Sequence, residues 1–279
     1  MNIRRKHCCS IYRAPSVDAP FVYFSLRAVV DLTFILITVV GVLITGISKS
    51  GFGGGIGVVA VPMMAPFIGG EKAIGILLPI LLLMDVLTIR IYRHYFSWRL
   101  LKPVVPGIVI GIFAGAALLD VVDERGVQAI IGLMGIWVLA QRRWPVLGGA
   151  GKQPDAASGP LKAHFLGALG GVGSVLAHAG AAPMQAYYLT QKISKDYYLG
   201  QMAVAFGVMN AIKLIPYGYL GLLNPEIGTL TLLLIPLAFI GTWLGRWLSK
   251  RVDSVLFFRV MMVLLAVNSV YLLGRALIG

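Results

Sequence analysis

Long apolar runs with almost no charge recur along the whole chain, and no other feature of the sequence limits the fold as strongly. An α-helix needs about 20 apolar residues to cross the hydrocarbon core of a bilayer, whereas transmembrane β-strands show shorter segments of alternating polarity. Here the runs are continuous, and they span residues 28–47, 58–68, 73–89, 103–119, 126–141, 163–182, 183–190, 197–216, 227–245 and 255–274. The sequence therefore predicts an all-α polytopic membrane protein.

Composition supports that class and excludes two others. Hydrophobic residues make up 58% of the 279 residues and charged residues 13%, against roughly 25% charged residues in a soluble domain. A soluble globular domain is thereby excluded, and so is a disordered chain, because disorder requires low hydrophobicity. Basic cytoplasmic loops explain the net charge of +13, so we expect a lipid bilayer and no nucleic acid as partner. The two cysteines, Cys8 and Cys9, are adjacent and offer neither a disulfide framework nor a metal cluster, and we expect no metal and no cofactor.

Two similar halves flank a linker at the midpoint. Residues 1–27 form a basic N-terminal tail, 28–141 a first membrane repeat, 142–161 a cytoplasmic linker, and 162–279 a second membrane repeat. Equivalent residues recur in order: Gly75 and Asp85 return 125 positions later as Gly200 and Asn210, Pro62 returns 121 positions later as Pro183, and Pro106, Gly111, Gly115 and Asp123 return 130 positions later as Pro236, Gly241, Gly245 and Asp253. Many transporters consist of such repeats, with substrate bound between them near the membrane midplane.

The charges of the loops leave two topologies open. Loops 90–102, 142–162 and 246–251 are basic and are predicted inside, whereas 120–125 and 217–226 are predicted outside. Inverted repeats with an odd number of crossings fit this pattern, although they put the basic tail outside, against the charge rule. If the glycine-broken segments are re-entrant, each half has four crossings and the repeats are parallel. We favour inversion, with four to five membrane segments per half and 8 to 10 crossings in all.

The glycine-rich run from Gly46 to Gly57 contains a lysine deep in apolar sequence. A lysine at a membrane-helix centre costs about 2.5–3.5 kcal/mol unless it faces a cavity or a partner. Glycines permit unwound backbone with free N–H groups, and a helix that starts there points its positive end at the break. We predict an anion site from the charge of Lys49, the hydroxyls of Ser48 and Ser50, and the amides of Gly53, Gly54 and Gly55. In the alternative, Lys49 lies in a short loop at the membrane face and the glycines serve packing.

Four more polar residues interrupt apolar segments. His178 lies in the segment of the second half that corresponds to the glycine run, where it relays protons, donates to an anion or joins two helices. Asp85 has Asn210 as its equivalent, and Lys213 follows on the same helical face. We predict that Asn210 and Lys213 bind substrate and that Asp85 couples protons or forms an ion pair with Lys213 or Lys49. The stripe of Gly107, Gly111 and Gly115 and its counterpart Gly241 and Gly245 predict close helix packing.

These residues resemble a known family. The segment 48–57 with Val61-Pro62, then Leu78-Pro79 with Asp85, Tyr92-Arg93 and Trp98, is similar to the first repeat of the sulfite exporter TauE/SafE family. The segment 176–180 with Pro183, then Tyr187-Tyr188-Leu189, Ser194-Lys195, Gly200, Asn210, Lys213 and Pro216-Tyr217, is similar to its second repeat. The similarity extends over roughly residues 35–275.

The resemblance implies a secondary transporter or facilitator for small sulfur-containing anions, such as sulfite, thiosulfate, sulfoacetate or other organosulfonates, in the cytoplasmic (inner) membrane of a bacterium. It does not choose among them. Export fits the energetics, since an anion that leaves a negative interior gains about 2.3 kcal/mol per charge per 100 mV. Uptake requires coupling, for which Asp85 or His178 offers a proton site. A non-transporting membrane scaffold is the alternative, and a membrane-embedded enzyme is disfavoured because no paired catalytic groups occur.

Overall fold

The computed structural model describes residues 20–54, 60–61, 64, 70–119, 129, 133, 136, 159–191, 193–223 and 225–278. The regular elements in these ranges are helical, which confirms the predicted all-α class. They are α1 (Pro20–Phe52), α2 (Gly70–Tyr92), α3 (Trp98–Leu101), α4 (Val105–Leu118), α5 (Pro160–Ala177), α6 (Ala181–Tyr188), a 3-10 turn (Leu189–Gln191), α7 (Lys195–Tyr219), α8 (Pro225–Arg251) and α9 (Ser254–Ile278).

Four helices in the described ranges are long and apolar enough to cross a membrane: Phe34–Phe52, Ala73–Tyr92, Lys195–Tyr219 and Thr231–Arg251. The helix Val105–Leu118 is apolar but shorter. By length and composition, the described helices are those expected of a multi-pass membrane protein. Helix α1 begins at Pro20, within the range assigned above to the tail. The tail up to residue 19, loop 120–125 and linker residues 142–158 lie outside the described residues, as do most of the runs 58–68 and 126–141.

Glycines hold two pairs of helices in close contact. Helix α1 packs along α8, and α4 packs along α5. A Cβ atom on Gly51 would lie 2.7 Å from the carbonyl oxygen of Gly245, and one on Gly171 would lie 2.6 Å from that of Ile108. Gly107 and Gly111 approach the backbone of α5 even more closely. The predicted glycine stripes are therefore packing surfaces, as small residues let membrane helices approach each other.

Helices α2 and α7 pack against each other in antiparallel directions. Early in α7, Gly200 lies against the backbone of Tyr95, just beyond the C-terminal end of α2. Further along α7, Gly207 lies against Ile89, and Asn210 contacts Asp85. As α7 advances, its contacts therefore move back along α2, so the two helices cross the molecule in opposite senses.

Basic residues gather where α2 and α8 end and α7 begins, and we call this end of the molecule the basic end. Lys195 Nζ donates to the carbonyls of Ser249 and Val252 at the C-terminus of α8, at 2.9 and 2.7 Å. The guanidinium of Arg246 lies 4.6 Å from the centre of the Tyr92 ring. These contacts join the three helix termini on one side.

Two helices stop inside the bundle rather than at its surface. Helix α1 ends at Phe52, and Gly53 and Gly54 follow with φ values of 66° and 86°. Helix α5 ends at Ala177, and His178 has a φ of 52°, the only positive φ of a non-glycine residue in the described chain. Left-handed residues of this kind terminate helices. Gly51 and Phe52 are still helical, so the unwinding predicted for the glycine run begins at Gly53 among the described residues.

Candidate functional site

A small cavity lies between α1, α2, α7 and the end of α5. Its volume is about 30 Å³, which is space for about two waters. The residues that line it are Thr45, Lys49, Gly54, Ala60, Leu77, Leu81, Ser174, His178, Phe206 and Asn210. Most of this lining is apolar, so the few polar groups in it determine what the cavity can hold.

One lysine of the cavity forms a buried ion pair. Lys49 Nζ lies 2.6 Å from Asp85 Oδ1, and both side chains are almost completely buried. The Asn210 amide donates to the second carboxylate oxygen of Asp85 at 2.5 Å. Both oxygens of Asp85 are thus engaged, one by α1 and one by α7. The predicted Lys49–Asp85 pair is the one that the structure forms, in preference to Asp85–Lys213.

The second lysine contacts no carboxylate in the described part of the chain. Lys213 is fully buried, and its Nζ lies 3.1 Å from the Ser174 carbonyl oxygen and 2.7 Å from His178 Nδ1. The other ring nitrogen, His178 Nε2, lies 3.1 Å from the carbonyl oxygen of Ile74. A carbonyl can only accept, so Nε2 must carry the hydrogen, and Nδ1 then accepts from the ammonium group. This assigns a neutral His178, with both nitrogens committed.

With both lysines protonated, the two ammonium groups and the single carboxylate leave one positive charge in excess. Among the described residues, Asp85 is the only carboxylate within ion-pair distance of either lysine. A buried charge without a counter-ion is costly, because removing the ion from water costs on the order of several kcal/mol. Two aromatic rings soften this cost, since Lys49 Nζ lies 5.2 Å from the Phe206 ring centre and Lys213 Nζ 5.8 Å from that of Tyr217. An anion in the adjoining cavity would supply the missing counter-charge.

Of the remaining residues predicted for the site, one lines the cavity and others contact neighbouring helices. The Ser50 hydroxyl is within 2.9 Å of the Gly46 carbonyl oxygen and 2.8 Å of that of Thr242, so it bonds helix α8 and not the cavity. Ser48 is fully buried outside the lining. Gly53 packs against Tyr198, and Gly54 lines the cavity, whereas Gly55 lies outside the described residues.

Sequence reasoning missed six of the ten lining residues, namely Thr45, Ser174, Phe206 and the aliphatic residues Ala60, Leu77 and Leu81. Thr45 precedes Lys49 by one helical turn and so faces the same side, a spacing that identifies it in retrospect. Ser174 contributes through its backbone carbonyl, which no side-chain pattern reveals. Phe206 cannot be distinguished in the sequence from an ordinary core residue. In the described ranges, no group of three or more His, Cys, Asp or Glu residues lies close enough to hold a metal ion.

Comparison with known proteins places the chain in one family. The sequence model described as "Sulfite exporter TauE/SafE" matches residues 37–272, which is most of the chain. No curated protein and no solved structure matches significantly.

Proposed function

Since the chain belongs to the sulfite exporter TauE/SafE family, we propose that it is a secondary transporter or facilitator for small sulfur-containing anions. The substrate class comprises sulfite, thiosulfate, sulfoacetate and other organosulfonates, and the membrane is the cytoplasmic membrane of a bacterium. The observation that carries the proposal is the fully buried Lys213, which has no carboxylate partner among the described residues and contacts His178 in the cavity lining. In a scaffold protein, a buried ammonium group without a counter-ion would lower stability and serve no function.

The anion binds, on this proposal, between Lys49, which lines the cavity, and Lys213, which does not line it. Lys49, Asn210 and His178 line it, and Lys213 lies directly behind His178. Lys213 supplies a second amino group without a carboxylate partner among the described residues, and Lys49 adds an ammonium group shared with Asp85, whereas the backbone amide of Gly54 donates to the Ser48 carbonyl. A small oxyanion needs several donors of this kind, because it gives up its water shell when it enters an apolar cavity.

The direction that we propose is outward. An anion that leaves a negative interior gains about 2.3 kcal/mol per charge for each 100 mV, so export needs no further energy source. Inward transport of the same anion needs a coupled ion, and a proton on Asp85 or His178 is then the coupling ion that we propose. Either group has to release a present partner to take up a proton, because both oxygens of Asp85 and both nitrogens of His178 are engaged.

The architecture that we propose is a pair of inverted repeats. The antiparallel course of α2 and α7 supports it, since these helices are equivalent in the two halves. The packing of α1 on α8 and of α5 on α4 supports the repeat itself, because each broken helix then packs on the equivalent helix of the other half. Substrate sites of inverted-repeat transporters lie at such an interface near the membrane midplane.

Flux into proteoliposomes tests the proposal. Purified protein is reconstituted, and uptake of labelled sulfite, thiosulfate, sulfoacetate, sulfate and chloride is measured with and without a proton gradient. We expect saturable flux of at least one sulfur anion, strongly reduced in the Lys213→Gln variant and unchanged in Lys102→Gln, which alters an exposed lysine. Folded, inserted protein that moves none of these anions would favour the scaffold alternative.

A further inference from the structure

The ends of the two broken helices repeat the same contacts 125 positions apart. The amide of Gly54 donates to the carbonyl of Ser48 at 2.9 Å, and the amide of Ala179 donates to that of Gly173 at 2.8 Å. Both bonds join residues six positions apart across the end of the helix, one position more than the 6→1 bond of a Schellman motif, so the two helices end in the same way. The left-handed residues that follow α1 and α5, Gly53 and His178, are also 125 positions apart.

Two tyrosines that are also 125 positions apart, one on α2 and one on α7, form hydrogen bonds to these broken helices. The Tyr92 hydroxyl donates to the Ser50 carbonyl at 2.9 Å, and the Tyr217 hydroxyl donates to the Val175 carbonyl at 2.6 Å. The first bond lies at the basic end. Because α7 runs antiparallel to α2, the second bond lies toward the opposite end. Each half of the protein therefore has one tyrosine contact, and the two contacts lie on opposite sides of the cavity.

Asp85 and Asn210 are themselves equivalent positions, 125 residues apart, and they contact each other directly. Two residues related by a two-fold axis meet only beside that axis. The pseudo-two-fold axis consequently passes by the Asp85–Asn210 contact, and Asn210 also lines the cavity. The cavity thus lies close to the centre of symmetry, with one lysine toward each end.

The lysines themselves break this symmetry. The position equivalent to Lys49 is Ser174, and the position equivalent to Lys213 is Thr88. Each half has a single lysine between its broken helix and its long helix, carried by α1 in the first half and by α7 in the second. Lys49 adjoins the Tyr92–Ser50 contact, and Lys213 lies one turn before Tyr217.

We propose that the cavity consists of two half-sites for one anion, an inner half-site at Lys49 and an outer half-site at Lys213. The Tyr92–Ser50 contact closes the inner half-site toward the basic end, and the Tyr217–Val175 contact closes the outer half-site toward the opposite end. The contacts open in turn, and the anion passes from one lysine to the other. This inference rests on the proposed transport function and adds the residues that control access from each side.

The size of the cavity makes such an opening necessary. Space for about two waters is less than an oxyanion with three or more heavy atoms and its donors require, so one side must widen to admit it. The contact at the basic end is supported by more neighbours than the Tyr217–Val175 contact, because Tyr92 also contacts the Ser249 hydroxyl at 3.1 Å. Arg246 lies over the same ring and reaches Asp196 at 3.6 Å.

Accessibility of one cysteine from each side tests the inference. Thr45 lines the cavity and is replaced by cysteine in a background with Cys8→Ser and Cys9→Ser. A membrane-impermeant thiol reagent is applied to either face of oriented vesicles, with Tyr92→Phe, Tyr217→Phe or Tyr187→Phe added. The last variant is the matched control, since the buried Tyr187 hydroxyl makes no hydrogen bond to any residue that the structure describes.

Tyr92→Phe should accelerate labelling from the face of the basic end, and Tyr217→Phe should accelerate it from the opposite face. About fivefold is the change expected for one lost hydrogen bond. Unchanged rates in both tyrosine variants, or acceleration from the same face in both, would overturn the inference. Labelling does not depend on flux, so this failure is separate from a failure of the transport proposal, which appears as absence of flux in the unaltered protein.

A second measurement, with lysine variants, tests the inference even if a tyrosine variant does not fold. In oriented proteoliposomes, Lys213→Gln should raise the half-saturating anion concentration more when the anion is added at the face opposite the basic end. The combined Lys49→Gln and Asp85→Asn variant should raise it more at the basic end. Equal effects at both faces for both variants would contradict two half-sites and support a single site.

Discussion

At the scale of single residues, Lys49 and Lys213 are both buried but differ in their partners. Lys213→Gln removes a charge that no carboxylate in the described chain balances. We expect this variant to lose affinity for the anion by roughly ten- to a hundredfold, the equivalent of a charged hydrogen bond of about 1.5–3 kcal/mol. Its thermal unfolding temperature in detergent should stay the same or rise. A clear drop in that temperature, with affinity retained, would make Lys213 a structural residue.

Replacing Lys49 should lower the stability of the protein, because its partner Asp85 is then left as an unpaired buried charge. Lys49→Ala leaves Asp85 buried with only Asn210 for support, and breaking a buried pair in this manner costs about 3–5 kcal/mol. Adding Asp85→Asn to Lys49→Ala removes the orphaned charge and should recover most of that stability. Thermal unfolding of the two single variants and the double variant measures the coupling. Additive losses would show that the ion pair does not form.

His178 holds Lys213 through Nδ1, and it also has the left-handed backbone that ends α5. Asparagine tolerates this conformation better than most residues, and its side-chain oxygen is an acceptor. We therefore expect His178→Asn to keep much of the flux and His178→Ala to lose it. The pH dependence of flux should be the same in the wild type and in His178→Asn, because the proposed role of His178 is to position Lys213. A changed pH profile would instead assign a proton to the imidazole.

At the scale of helices, the glycine contacts make a local and testable prediction. Gly171→Ala places a methyl group 2.6 Å from the Ile108 carbonyl, so α4 and α5 must separate. We expect a lower unfolding temperature and weaker flux, since α5 carries the Ser174 carbonyl and leads into His178. Gly218→Ala, where nothing lies within 4 Å of the added atom, is the control. Equal stability of both variants would show that α4 and α5 have room to part.

The sequence predicted these elements well where a property of the residue itself decided the outcome. Continuous apolar runs indicated helices, glycine spacing indicated close packing, and Lys49 and Asp85 were recognisable because charges are rare in apolar segments. Partners set by distant parts of the chain were not predictable in the same way. The Ser50 hydroxyl bonds the carbonyl of Thr242, 192 positions away, and nothing near Ser50 signals that helix α8 will lie there.

At the scale of the whole molecule, the inverted arrangement predicts which loops lie on which side. The basic end contains the loop after α2 and the end of α8, and basic loops are retained in the cytoplasm. Lys102→Cys should then be labelled only from the cytoplasmic side and Tyr219→Cys only from the outside; Tyr219 is 95% exposed at the end of α7. Parallel repeats would put the ends of α2 and α7 on the same side, and labelling of both cysteines from one face would refute inversion. The same result would remove the basis for two half-sites open to opposite faces, because these depend on the opposite orientation of Tyr92 and Tyr217.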